Sequence, residues 1–174
     1  WAARESSGLT RYLRYAIFNT SADTWGSVTT IASDLDFDDI GQGEQVVSLV
    51  IDANDKAHIA YIGSAGSGST SAVRVRYRNN VSGSWSAATQ IDSDVSYAGN
   101  FRAWHPNLSF DTEGRLLVVW IKGEFNGNTG ATYYTKVRST GGSWGSAVVV
   151  DSNSAMFVGI DQSTSILITP DNRY

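Results

Sequence analysis

A repeat of about sixty residues constrains this 174-residue chain more than any other feature of it. Trp25, Trp85 and Trp144 each follow Ser or Thr and stand 60 and 59 residues apart. The thirteen residues that end at each tryptophan align without gaps: LRYAIFNTSADTW, VRVRYRNNVSGSW and TYYTKVRSTGGSW. A second anchor pairs SLVIDANDKAHIAY with NLSFDTEGRLLVVW, where Asp52 and Asp111 are 59 apart. Another 59 falls on Pro170, next to the turn-forming Asp171 and Asn172. A third anchor is an aromatic at Trp1, Tyr61 and Trp120, spaced 60 and 59. A unit that recurs in register three times must fold into the same small element each time and bury its faces against its neighbours.

The residues inside one period read as strands. In the middle copy four short runs, Val46–Ile51, Ala57–Ile62, Ala72–Asn79 and Trp85–Asp92, are separated by turn chemistry and are labelled A to D. The A–B turn is AND or TEG and the C–D turn is NVSG or STGG, tight connections that join antiparallel neighbours. Composition agrees: Asp outnumbers Glu 13 to 4, and there are 17 Gly but one Met, which favours turns over helices. Four-stranded antiparallel units repeated without helices predict an all-β fold of propeller type, with about three blades. The units run 1–45 (a partial blade), 46–104, 105–164 and 165–174 (the first strand of a further one). Three blades are too few to close a ring, so the chain is expected to be permuted and to need more blades. Those would come from a longer parent chain or from other copies in a homo-oligomer or filament.

Several function classes are excluded on composition. There is no Cys, hence no disulfide, thiolate metal site or thiol nucleophile. A formal charge of -4 with scattered basic residues argues against a nucleic-acid binder. No apolar stretch reaches the roughly 20 residues that a membrane-spanning helix needs. No P-loop, G-x-S-x-G or zinc-type His pair occurs. No cofactor or metal is expected. The acidic run with Asp34, Asp36, Asp38, Asp39 and Glu44 lacks the glycine of an EF-hand loop and reads as solvated.

A blade whose last strand opens on Ser/Thr-Trp after a polar, Gly-containing turn resembles the sialidase-like (Asp-box, or BNR-repeat) propellers, whose motif is S-x-D-x-G-x-T-W. The final pair is present as Thr24-Trp25, Ser84-Trp85 and Ser143-Trp144. The motif's Asp position holds Thr20, Asn80 and Ser139, its Gly position Ala22, Ser82 and Gly141, and its Ser position Phe18, Arg78 and Val137. The boxes are thus degenerate, and the resemblance spans the chain at the level of blade architecture. It implies a six-bladed parent or its equivalent, and a secreted or cell-surface location.

Binding residues are expected where the B–C and D–A connections emerge together, at the mouth of the central channel. Arg4, Glu44, Arg102, Trp104, His105, Lys122, Glu124 and Phe125 are the candidate ligand-binding residues. Arg102, Trp104 and His105 lie in NFRAWHP, read as a D–A connection; with Lys122, Glu124 and Phe125 they combine charge, donors and a stacking surface. Trp104 stands out because its repeat counterparts, near Gln45 and Thr164, are not aromatic. Trp1, Trp25, Trp85, Trp120 and Trp144 read instead as packing between blades. Arg74, Arg76 and Arg78 alternate along one strand and read as an exposed basic face, and His58 as a structural strand residue. A self-contained sialidase site is not expected: it would need three arginines from different blades, although Tyr97 and Glu124 offer a tyrosine and an acid. The expected function is non-catalytic recognition of a glycan or another surface ligand. A self-assembling structural subunit, and a fragment of a glycoside hydrolase or polysaccharide lyase, are the alternatives.

Overall fold

The computed structural model describes residues 2–4, 11–33, 35, 47–64, 73–97, 101–124, 130–153, 164–166 and 168. These residues form strands and turns, with no helix among them. Sheet I contains β1 (Ala2–Arg4), β2 (Arg11–Tyr15) and, beyond a two-stranded hairpin of β3 (Phe18–Asn19) and β4 (Thr24–Trp25), β5 (Thr29–Ala32). Sheet II is β6 (Val47–Ile51), β7 (Ala57–Ser64), β8 (Val73–Asn79) and β9 (Thr89–Gln90). Sheet III is β10 (Phe101–Phe110), β11 (Leu116–Glu124), β12 (Ala131–Arg138) and β13 (Val148–Asn153). Sheets II and III each pair their strands in chain order, antiparallel throughout, as hairpin-length turns require.

The repeat is visible in the turns. The Asp52 carboxylate accepts the backbone N–H groups of Asn54 and Lys56, both at 2.8 Å, and Asp111 does the same for Glu113 and Arg115 at 2.9 and 2.8 Å. An Asp at this place folds the A–B turn onto itself. In the C–D turns the left-handed position is held by Asp23, Gly83 and Gly142, with φ of 53°, 91° and 93°. This is one residue past the position expected for the motif's glycine.

Alternation along each strand gives every sheet two packing faces. Ala60, Ile62, Val73, Val75 and Tyr77 of sheet II pack against Ala103, Leu108, Leu116, Val118 and Trp120 of sheet III in one buried cluster. Ile59 and Tyr61, on the other face, join Leu13, Ile31 and Ala32 of sheet I and Leu35, which follows β5 and bridges to Gly63 of β7. The order of contact is therefore I, II, III. First strands also touch directly: the Ser48 hydroxyl on β6 accepts the Leu108 N–H of β10 at 3.0 Å. A buried Lys136 ties sheet III to the end of sheet II, donating to the Ile91 carbonyl (2.7 Å) and the Asp94 carboxylate (2.8 Å). Asp94 also accepts the Ala147 N–H at 2.8 Å.

The tryptophans follow the sheet order, with one departure. Trp120 is fully buried, Trp85 meets Tyr15 of sheet I edge-on at 5.2 Å, and Trp144 meets Tyr77 of sheet II in the same way at 5.2 Å. Trp25 meets its hairpin neighbour Phe18, lines a shallow cleft with Val47, Leu49 and Ile51 of sheet II, and is 69% exposed, so it is far less enclosed than the packing role expected of it. Its counterparts each lean on the preceding sheet, and no described sheet precedes sheet I. Trp1 lies outside the described residues. The fourth strand of sheet II is shorter than expected: only Thr89–Gln90 pairs with β8, within the expected run Trp85–Asp92.

Candidate functional site at one end of sheets II and III

The expectation that NFRAWHP is a connecting loop is overturned. Phe101–Phe110 is one continuous strand, and Phe101, Arg102, Ala103 and Trp104 pair with Glu124, Gly123, Lys122 and Ile121. Because β11 extends to Glu124, pairing supplies partners for backbone groups that a loop would have left to water. The ladder slips between Trp104 and Asn107, where His105 adopts φ 48°.

This pairing divides the candidate residues between two faces. Side chains directly opposite across an antiparallel pair share a face, and successive ones alternate. Ala103 and Lys122 therefore lie on the face toward sheet II, with Phe101, whereas Arg102 and Trp104 lie on the other with Gly123 and Ile121. Arg102 is only 6% exposed, and the Trp104 indole N–H points to the Gly123 carbonyl at 3.5 Å. His105 is buried at 3% exposure, and among the described residues neither ring nitrogen has a hydrogen-bond partner. Burial holds its pKa below the ordinary 6.5. Arg102, Trp104 and His105 thus do not form one open surface with Lys122. The strand brings Arg4 and Glu124 into the structure only as backbone in β1 and β11; Glu44 and Phe125, like the acidic run, lie outside the described residues.

Lys122 has acquired different companions. Its ammonium sits 5.6 Å from the centre of the Tyr97 ring and 5.1 Å from that of Phe101. The Arg74 guanidinium covers the Tyr97 ring at 4.2 Å. The Tyr97 hydroxyl accepts the Trp120 indole N–H at 3.0 Å and lies beside Asp92, whose carboxylate accepts the Val75 N–H at 3.1 Å. Burial, reinforced by the Asp92 charge, pushes the Tyr97 hydroxyl far above its ordinary pKa, so it stays protonated. Burial likewise raises Asp92, against the Val75 N–H and the Tyr97 hydroxyl. Among the described residues Lys122 has no hydrogen-bond or ion-pair partner, and burial lowers its pKa from 10.5. A cation held over two aromatic faces, without a carboxylate of its own, can take one from a ligand.

The exposed basic face expected of Arg74, Arg76 and Arg78 is not found: all three are half-buried, and Arg78 donates to the Ser86 carbonyl at 3.2 Å. Phe101 was not singled out. Its signal is the alternation Phe101, Ala103 against Arg102, Trp104, legible only once the strand is extended back to 101. Among the described residues, no group of three or more His, Asp or Glu is placed to hold a metal ion, and no helix is long and apolar enough to cross a membrane. Compared with known proteins, the chain matches no family model and no curated relative.

Proposed function

We propose that the chain is a propeller-type array of sialidase-like blades that recognises an acidic glycan without catalysis. The site is the end of sheets II and III at which the B–C and D–A connections emerge. The reading rests on one observation, the Lys122 ammonium set over the rings of Tyr97 and Phe101 with no hydrogen-bond or ion-pair partner among the described residues. A sugar carboxylate or sulfate would pair with Lys122, and exposed ring surface would carry the apolar face of the sugar. The protonated, half-buried Tyr97 acts here as a platform and not as a nucleophile. Secretion or display at a cell surface fits such a ligand.

The test is a calorimetric titration with uronic-acid, sialylated, sulfated and neutral oligosaccharides. An acidic oligosaccharide is expected to bind, weakening with salt, and Lys122→Met should weaken it about tenfold. Equal binding of neutral oligosaccharides, an unaffected Lys122→Met, or turnover of any of these sugars would overturn the reading.

A second reading, self-association through the end of the array, is favoured by Trp25. Trp85 and Trp144 each rest on a tyrosine of the preceding sheet, whereas Trp25 stands exposed with Ile17, Phe18 and Val28. A second copy would cover that exposed surface.

A further inference from the structure

At the opposite end of sheets II and III, where the A–B and C–D turns lie, a cleft of about 670 Å³ opens between the two sheets. Two of its acids are consumed by their own turns. Asp52 accepts the N–H groups of Asn54 and Lys56 on one oxygen and faces the His58 ring at 3.3 Å with the other. Asp111 accepts those of Glu113 and Arg115 and takes the Arg115 side chain at 2.6 Å. His58 is buried, and its other ring nitrogen meets the Tyr77 hydroxyl at 2.6 Å. Neither acid nor the imidazole is left with an unmet demand.

Arg138 is different. Its guanidinium lies 5.5 Å from the centre of the Tyr77 ring and, among the described residues, has no hydrogen-bond or ion-pair partner. It rests against the C–D turn so closely that a Cβ on Gly142 would come within 2.9 Å of its Nη2. Beside it, Ile51 and Val81 present exposed apolar surface, and Phe110 closes the cleft with its ring edge-on to His58 at 5.1 Å. An open guanidinium fork asks for a planar anion, and the apolar walls ask for a carbon body.

We propose that this cleft is a second binding site, for a small organic carboxylate held by Arg138 against Ile51, Val81 and Phe110. A carboxylate suits it better than phosphate. A second negative charge would sit in the same cleft as Asp52 and Asp111, and an inorganic ion would leave the apolar walls uncovered. The site stands apart from the one proposed around Lys122 and does not depend on it.

The test is a chemical-shift titration of the isotope-labelled full chain at neutral pH with benzoate, its neutral isostere benzamide, and inorganic phosphate. Benzoate is expected to saturate in the millimolar range. It should move the Arg138 side-chain N–H and the amides of Val81 and Ser139 to Gly142, with benzamide about tenfold weaker and phosphate not saturating. Arg138→Met should lose about tenfold in benzoate affinity, and Lys122→Met nothing. If Arg138→Met does not fold, the wild-type shift map and the benzoate-to-benzamide ratio decide. No saturation by benzoate, equal binding of benzamide, tighter binding of phosphate, or shifts confined to other residues would overturn the proposal.

Discussion

Two histidines set how the native state meets acid. His58 is held below the ordinary 6.5 by burial, helped by the Arg138 charge and opposed by Asp52; His105 is lowered by burial alone. Between the folded-state pKa of each and 6.5, the unfolded chain binds more protons than the native one, so stability falls as pH drops below 6.5. A second limb belongs to Asp52, Asp94 and Asp111. Burial works against ionisation of each, but their hydrogen bonds and cationic neighbours prevail and hold them below 3.8. Their contribution is complete above that value and is lost as pH falls through their folded-state pKa values. Urea midpoints measured across this range should decline in two stages, and His105→Asn should shrink the first. Asn is chosen because it tolerates the left-handed backbone at 105. A midpoint flat from pH 7 to about 5 would refute the assignment of both imidazoles as buried and neutral.

Among the elements, the interface between sheets II and III should be the hardest to disturb. Trp120 sits at its centre, fully buried and stacked on Tyr134 at 5.4 Å, and Lys136 and Asp94 clamp its end. Trp120→Ala should cost about 3–5 kcal/mol through the cavity it leaves. Removing Lys136 as Lys136→Ala should cost about 2–3 kcal/mol, since it strands the Ile91 carbonyl and cuts the tie to Asp94, which is partly solvated. Trp25→Ala, at an exposed position, should stay within about 0.5 kcal/mol. Chemical denaturation of the three variants checks the order. A cost for Trp25→Ala in the monomer that rivals that of Trp120→Ala would contradict the packing described.

For the whole molecule, self-association would have a second copy cover the exposed Trp25 of sheet I. If a second copy does so, sedimentation velocity should show association that rises with concentration, and Trp25→Ser should weaken it without lowering monomer stability. A monomer at every concentration would remove the self-association reading and leave Trp25 to another partner. Association of this kind would be heterologous, because the face that carries Trp25 differs from the one that would receive it.

The repeating unit of this protein is written in its local residue pattern. Turn residues and strand patterns act over four to eight residues, so Asp52, Asp111, Gly83 and Gly142 mark their turns wherever the sheets end up. The period, the antiparallel order and the packing role of Trp85, Trp120 and Trp144 follow from such local signals repeated in register. Which candidate residues meet depends instead on how the strands pair and the sheets pack. Local patterning did not reveal that β11 reaches Glu124 and draws Phe101–Trp104 into pairing, and a strand in place of a loop sends alternate side chains to opposite faces. That one difference parts Arg102 and Trp104 from Lys122 and gives Lys122 the rings of Tyr97 and Phe101 instead. The cleft at Arg138 was equally hidden, because it is made by turns 59 residues apart that come together only when one sheet packs on the next.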